Sequence, residues 1–250
     1  MKTRLKTAGV MILALLVLVW LDIYILNFAI FAVALGIAVM ESLKLYGIKE
    51  NDLAILSVIL FAVFALLGGG SFAYTYQFII AIILISSSVL VFKNHESLKP
   101  LLPLIYPTAP IFVMFSVYDV LGMSYLVYML ILVAVADSGA YFVGKLLGSH
   151  SFTPTSPNKT IEGTIGGIIL ATFIGGLYYG IFMDGSLKNP LFATIFIIIA
   201  SIFGDLFESY LKRKAGVKDS GNLFPGHGGM LDRIDSYLFA SIALSLVSSW

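Results

Sequence analysis

The residues best suited to chemistry lie late in the chain. In "GDLFESYLKR", Asp205, Glu208, Ser209 and Lys212 stand at i, i+3, i+4 and i+7, which puts them on one face of a helix. In "LDRIDS", Asp232, Asp235 and Ser236 repeat the pattern at i, i+3 and i+4. Two helices that each present a carboxylate face can hold a hard divalent cation, and Mg²⁺ takes one or two carboxylates plus water and phosphate oxygens. Asp205, Asp232, Asp235 and, in the connection between them, Asp219 are the candidate ligands. The alternative is that these acids pair with Lys212, Arg213 and Arg233 to neutralise a buried interface. Neutral residues would do that at a lower desolvation cost, so the concentration of acids, bases and glycines favours a site. Earlier in the chain the notable acids are Asp119 and Asp137, near helix ends.

Between the two acidic faces lies "FPGHGGML". Proline and three glycines around His227 make a rigid turn with accessible N–H groups, and it leads into a helix, an arrangement suited to phosphate. His227 can donate to a phosphate oxygen or act as general acid or base; the plainer reading is a loop histidine satisfied by a carbonyl. Lys218, Asp219 and Asp232 flank it, whereas His95 and His150 read as ordinary loop residues.

A second polar segment runs "ADSGAYFVGKLLGSHSFTPTSPNKTIEGTIGG". Gly139, Gly144 and Lys145 approach a Walker A pattern, but Leu146 stands where the hydroxyl belongs and no strand precedes it, which excludes a P-loop. Ser156, Lys159, Thr160 and Glu162 cluster just before a predicted helix, where they suit phosphate oxygens or, equally, a helix cap. The glycines of "GTIGG" and "GGLYYG" permit close helix packing and a homodimer contact.

These segments are set in a chain that is 59% hydrophobic and 12% charged over 250 residues, too apolar to give a soluble domain its polar skin. The basic residues are scattered without an aromatic platform, which argues against nucleic acid. The absence of cysteine excludes disulfides and thiolate chemistry. The expectation is an all-α, polytopic helical bundle with nine membrane spans and no soluble domain. The spans are 7–21, 24–43, 53–69, 72–92, 101–118, 121–140, 162–183, 190–211 and 232–250. "MKTRLKTAGVMILALLVLVW" resembles a signal peptide but lacks a small-residue cleavage site, and it reads as a retained first span. Residues 1–120 form an N-terminal helical half and 121–250 a C-terminal half with the polar loops, together one integrated membrane domain. With an internal N-terminus, every basic residue except Lys188 falls on the inner side. Both polar loops then face the cytoplasm and the C-terminus lies outside.

Carboxylates for a metal, several cations for phosphates and no nucleophile with its own base describe phosphoryl or nucleotidyl transfer by positioning and charge neutralisation. The membrane edge suits one soluble and one lipid substrate. A secondary transporter is the rival of a different class, but it would carry repeat symmetry and charges near the midplane.

Ser209 to Asp235 reads S-x-x-K-R-x-x-x-x-K-D-S-G-x-x-x-P-G-H-G-G-x-x-D-R-x-D, which resembles the signature of the phosphatidate cytidylyltransferases, the CDP-diacylglycerol synthases. The D-S-G-A-Y-x-x-G-K and S-P-x-K-T-x-E-G segments resemble the same family, so the likeness covers residues 137–236. It implies Mg²⁺-dependent transfer of CMP from CTP to phosphatidate, with a monovalent cation such as K⁺ as a second ion, in the cell's inner membrane. On this chain it implies Asp205 and Asp232 as metal ligands, with Asp235 and Asp219 next. Lys212, Arg213, Lys218 and Arg233 would hold phosphates, and His227, Gly228 and Gly229 would line the turn. Ser156, Lys159 and Thr160 would close over the nucleotide, with Asp137, Lys145 and Ser209 in the binding set. An ether lipid or polyprenol acceptor is the close alternative.

Overall fold

The computed structural model describes residues 2–50, 52–67, 70–183, 185 and 187–248, and the side chains of all of these but 2–6 and 8. Gly68 and Gly69 of the "GGGS" break, residues 249 and 250 of the last predicted span, and the side chains of Lys2, Arg4 and Lys6 lie outside the described residues.

The nine predicted spans correspond to helical segments in the same order. They are α1 (Lys2–Leu21), α2 (Tyr24–Tyr46), α3 (Asp52–Leu66), α4 (Phe72–Phe92), α5 (Ala109–Ser116), α6 (Met123–Leu147), α7 (Ile161–Phe182), α8 (Pro190–Lys214) and α9 (Leu231–Ser248). Among the described residues six helices are long and apolar enough to cross a membrane: α2, α4, the helical run Lys99–Leu121 that contains α5, α6, α7 and α8. The other three are shorter or more charged over the described residues. α3 has 15 residues, about 22 Å at the helical rise, against a hydrocarbon layer of about 30 Å. Among the described side chains α1 shows an apolar run over Gly9–Leu21, and α9 opens with Asp232, Arg233 and Asp235. The protein is an integral membrane helical protein, and among the described residues six helices meet both length and apolarity.

The described residues form two compact units. The first is Met1–Val120 with Lys214–Ile234, and the second is Leu121–Arg213 with Asp235–Trp250. In the first, α2, α3 and α5 pack through aromatic rings. Phe61 and Phe115 meet edge-on at 5.0 Å and Phe64 stacks on Phe112 at 5.1 Å, geometries that add to plain burial. α2 stops at Gly47, whose φ of 68° closes the last turn with N–H bonds back to Leu43 and Lys44.

In the second unit α6 and α7 lie almost backbone to backbone. A Cβ added at Gly167 would fall 2.5 Å from the Ala136 carbonyl oxygen and 3.0 Å from the Ala140 nitrogen. Gly163 meets Ala140 and Gly144 in the same way one turn earlier. This is the packing use that small residues have in apolar surroundings, where burial between helices gives no hydrophobic gain. Gly167→Ala is expected to destabilise the protein by about 1–3 kcal/mol through forced separation of the two helices. A thermal melt in detergent measures it.

Between α6 and α7 the chain forms a two-stranded hairpin, β1 (Ser151–Thr153) and β2 (Ser156–Thr160), with Thr153 opposite Ser156 and Ser151 opposite Thr160. Its base is closed by Glu162, which accepts bonds from the Ser149 hydroxyl (2.9 Å) and the Ser149 and His150 N–H groups, and meets His150 Nδ1 at 2.5 Å. His150, read as an ordinary loop residue, is thus tied to the first turn of α7.

Candidate active site

In the first unit the site is built around the turn Phe224–Gly228. Pro225 and Gly226 occupy its corners, with Gly226 at φ 79°, and His227 N–H returns to the Phe224 carbonyl at 2.8 Å. That is the sequence logic of a type II turn: proline presets one corner and glycine supplies the positive φ of the next. Phe224 N–H then bonds to the Gly228 carbonyl at 2.9 Å. Gly228 itself has φ 83°, and a Cβ there would lie 2.5 Å from Asp232 Oδ2.

Two carboxylates hold this segment from below. Asp232 Oδ2 accepts from the Ser220 N–H (2.8 Å), the Ser220 hydroxyl (2.9 Å) and the Gly229 N–H (2.8 Å). Glu41, from α2, accepts from the Met230 N–H (3.0 Å) and the Leu231 N–H (2.8 Å) and shares the single Ser220 hydroxyl proton, at 2.9 Å, with Asp232. The N–H groups of Gly229, Met230 and Leu231, expected to cradle phosphate at the start of α9, are therefore directed at carboxylates of the chain itself. The positive end of the helix dipole is the place for such charges.

What the turn offers a ligand is instead its side chains. Lys218, Asp219, Asn222, His227, Gly228 and Arg233 line a pocket of about 370 Å³. His227 Nδ1 is buried there and has no hydrogen-bond partner in the structure. Buried polar atoms are ordinarily satisfied, so an anionic group entering between Lys218 and Arg233 would meet a ring nitrogen that can serve it as an N–H donor.

In the second unit Asp137, Lys145, Lys159, Thr160 and Asp205 line a pocket of about 430 Å³, together with Thr164 and apolar residues. Lys159, at the end of β2, forms an ion pair with Asp205 of α8. Burial pushes the Lys159 ammonium below its usual pKa, while Asp137 and Asp235 pull the other way and Lys212 adds to the depression. The next residue, Thr160, caps α7 by accepting the Gly163 N–H at 3.1 Å; one side chain thus serves the cap and lines the pocket.

α8 and α9 approach closely at Gly204, where a Cβ would lie 2.6 Å from the Asp235 carbonyl oxygen. That approach sets Asp235 near Glu208, which is fully buried and paired with Lys212. Neighbouring buried carboxyl groups need a compensating cation, and the Lys212 ammonium supplies one here. No three acidic or histidine side chains form a metal cage among the described residues. Asp205 and Asp235, which both face Lys159, supply the one or two carboxylates that an ion of the Mg²⁺ type takes beside water and substrate phosphate. Ser156 and Ser209 are half-buried, and Arg213 is exposed.

The candidate residues thus gather into two groups, Lys218, Asp219, His227, Gly228, Gly229, Asp232 and Arg233 in one unit and Asp137, Lys145, Lys159, Thr160, Asp205, Lys212 and Asp235 in the other. Glu41 escaped the sequence reading. Its signal was available: a carboxylate inside an otherwise apolar helix is costly unless it has a task.

The comparisons with known proteins agree with this reading of the segments. The model of the cytidylyltransferase family matches residues 2–249. A protein of Helicobacter pylori named phosphatidate cytidylyltransferase is 37% identical over 243 residues, covering 97% of this chain and 90% of its own. Its counterpart in a second Helicobacter pylori strain is 35% identical, covering 98% and 91%. The Bacillus subtilis protein of the same name is 46% identical over 126 residues, 48% of this chain and 46% of its own. Matched by the family model from residue 2 to residue 249, and by the two Helicobacter pylori proteins over 97% and 98% of its length, the chain belongs to the cytidylyltransferase family.

Proposed function

We propose that the protein transfers CMP from CTP to phosphatidate, forming CDP-diacylglycerol and pyrophosphate. The observation that carries this reading is the basic pocket of the Phe224–Gly228 turn, with Lys218, Arg233 and the unpartnered His227 Nδ1, inside the segment that bears the family signature. A phosphate oxygen of the lipid attacks the α-phosphorus of CTP, and the bond from that phosphorus to the β-phosphate oxygen breaks. The displaced pyrophosphate carries away the charge, so no covalent enzyme intermediate is needed.

The protein's part is positioning and neutralisation. Lys218 and Arg233 hold phosphate oxygens, and His227 donates to one of them. In the second unit Lys145 and Lys159 serve a phosphate chain, Lys212 and Arg213 add positive charge, and Ser156, Thr160 and Ser209 offer hydroxyls. Asp205 and Asp235 of the second unit would hold Mg²⁺, with Asp232 and Asp219 of the first unit as the alternative ligands; the ion when bound screens the triphosphate and polarises the reacting phosphoryl group. A monovalent cation such as K⁺ is the second ion proposed for these carboxylates. The enzyme sits in the cell's inner membrane with its N-terminus and both polar loops in the cytoplasm, a placement supported by the basic residues gathered on one side.

The test uses purified protein in detergent with CTP, Mg²⁺ and phosphatidate, reading CDP-lipid and pyrophosphate together. Both products should appear in equal amounts, vanish with EDTA and return with added Mg²⁺. Failure to form either product with any phosphatidate tried would overturn the reading, and a faster reaction with a polyprenyl or ether-lipid phosphate would move it to the alternative acceptor.

A further inference from the structure

We infer that Glu41 is a positioning residue for this reaction, a clamp reaching from α2 that holds the 220–231 segment in the shape that forms the basic pocket. The inference rests on the proposed cytidylyl transfer for its link to activity, but the clamp itself is structural. Glu41 is 5% exposed, and the groups it meets are donors: the N–H groups of Met230 and Leu231, and the Ser220 hydroxyl, whose one proton it shares with Asp232. A carboxylate, which only accepts, suits that set. The chain also makes room for it: a Cβ at Gly221 or Gly229 would collide with the Glu41 carboxylate. Two glycines from the signature segment are thus shaped around an acid about 180 residues away in the chain.

The consequence for the pocket is geometric. Lys218 precedes the clamped Ser220 by two residues, and Arg233 follows the clamped Leu231 by two. His227 lies between, in a turn whose far end, Gly229, is tied to Asp232. Ser220 links the two clamps, since its hydroxyl touches both Glu41 and Asp232. With Glu41 in place the groups that meet phosphate start from fixed backbone positions. Without it the start of α9 loses a compensating charge and two N–H partners, and the turn is free to open. Positioning of this kind is worth a great deal: a displacement of about 1 Å at reacting groups lowers turnover by about 100-fold.

Two readouts on the whole protein in detergent test this. Amide hydrogen exchange without substrates reads the clamp independently of any reaction. In Glu41→Gln, which keeps size but turns an NH₂ group toward donors, exchange across 220–232 should rise at least about tenfold, with the rest of α2 unchanged. CTP turnover in the same variant should fall by about 100-fold, and Glu41→Asp, which keeps the acceptor on a shorter stem, should recover part of it. Ser220→Ala supplies a second route, removing one bond from each carboxylate and loosening the same segment if Glu41→Gln does not fold. Unchanged exchange in both variants would overturn the clamp. Faster exchange with full turnover would overturn the positioning role while leaving the proposed reaction intact. A wild-type protein that makes no CDP-lipid but shows the exchange effect would overturn that reaction and, with it, the link to activity.

Discussion

Asp232→Asn is expected to lower CDP-lipid formation by about 1,000-fold, as large a loss as removing a preorganised electrostatic partner produces elsewhere. Two losses combine in the one change. Asp232 Oδ2 accepts three hydrogen bonds that close the segment from Ser220 to Gly229, and an asparagine amide can satisfy them only by presenting its single oxygen with less charge. Asp232 is also a proposed ligand for Mg²⁺, and the amide is a weaker ligand for a hard cation. Steady-state turnover measured across a range of Mg²⁺ separates the two. Loss of the metal ligand raises the Mg²⁺ requirement, whereas loss of the staple alone lowers turnover at every concentration. A folded variant with full activity at the wild-type Mg²⁺ requirement would remove Asp232 from both roles.

The second large effect concerns the ion pair of the other unit. Lys159→Met strands Asp205 and removes the cation that Asp137 and Asp235 also face, and Asp205→Asn leaves Lys159 half-buried without its partner. Each single change is expected to cost about 100-fold in turnover. Each should also destabilise the protein, since removing one member of a desolvated pair leaves the other uncompensated. The double variant, Lys159→Met with Asp205→Asn, distinguishes structure from chemistry. Both charges are gone, so stability should return toward wild type while turnover stays low, because the pair's proposed phosphate-binding cation and metal-binding acid are both lost. Recovery of activity in the double variant would mean that the pair serves only to hold β2 against α8. Melting temperature and CTP turnover on the same three proteins give the answer.

The parts of this arrangement that could be read from the chain are the local ones. Long apolar runs declared the helices, and the i, i+3, i+4 spacing of Asp205, Glu208 and Ser209 on α8 and of Asp232, Asp235 and Ser236 on α9 declared two carboxylate faces. The Pro-Gly pair at 225 and 226 declared its turn. What stayed hidden is non-local or too short to carry a period. Glu41 meets residues 220–231 only because of tertiary folding, and nothing in "AVMESLKLY" points to that partner. The β1–β2 hairpin has strands of three and five residues, one of them "SPNKT", whose proline and asparagine are poor strand formers. The start of α9 looked open to phosphate because a sequence displays N–H groups but not the carboxylates that reach them from elsewhere. The short α3 and the charged start of α9 show a similar limit: hydropathy marks apolar runs, while length and flanking charge decide whether each can cross.

The most direct test of the central claim follows the α-phosphorus of CTP. Purified protein is given phosphatidate, Mg²⁺ and CTP labelled with ³²P at either the α or the γ position, and the lipid and aqueous phases are counted separately. CMP transfer predicts that the α label moves into the lipid phase as CDP-diacylglycerol and that the γ label stays in water as pyrophosphate. Appearance of the γ label in the lipid would mean phosphoryl transfer, and label in neither lipid fraction would mean that the chain does not use CTP as a donor; either result contradicts the account.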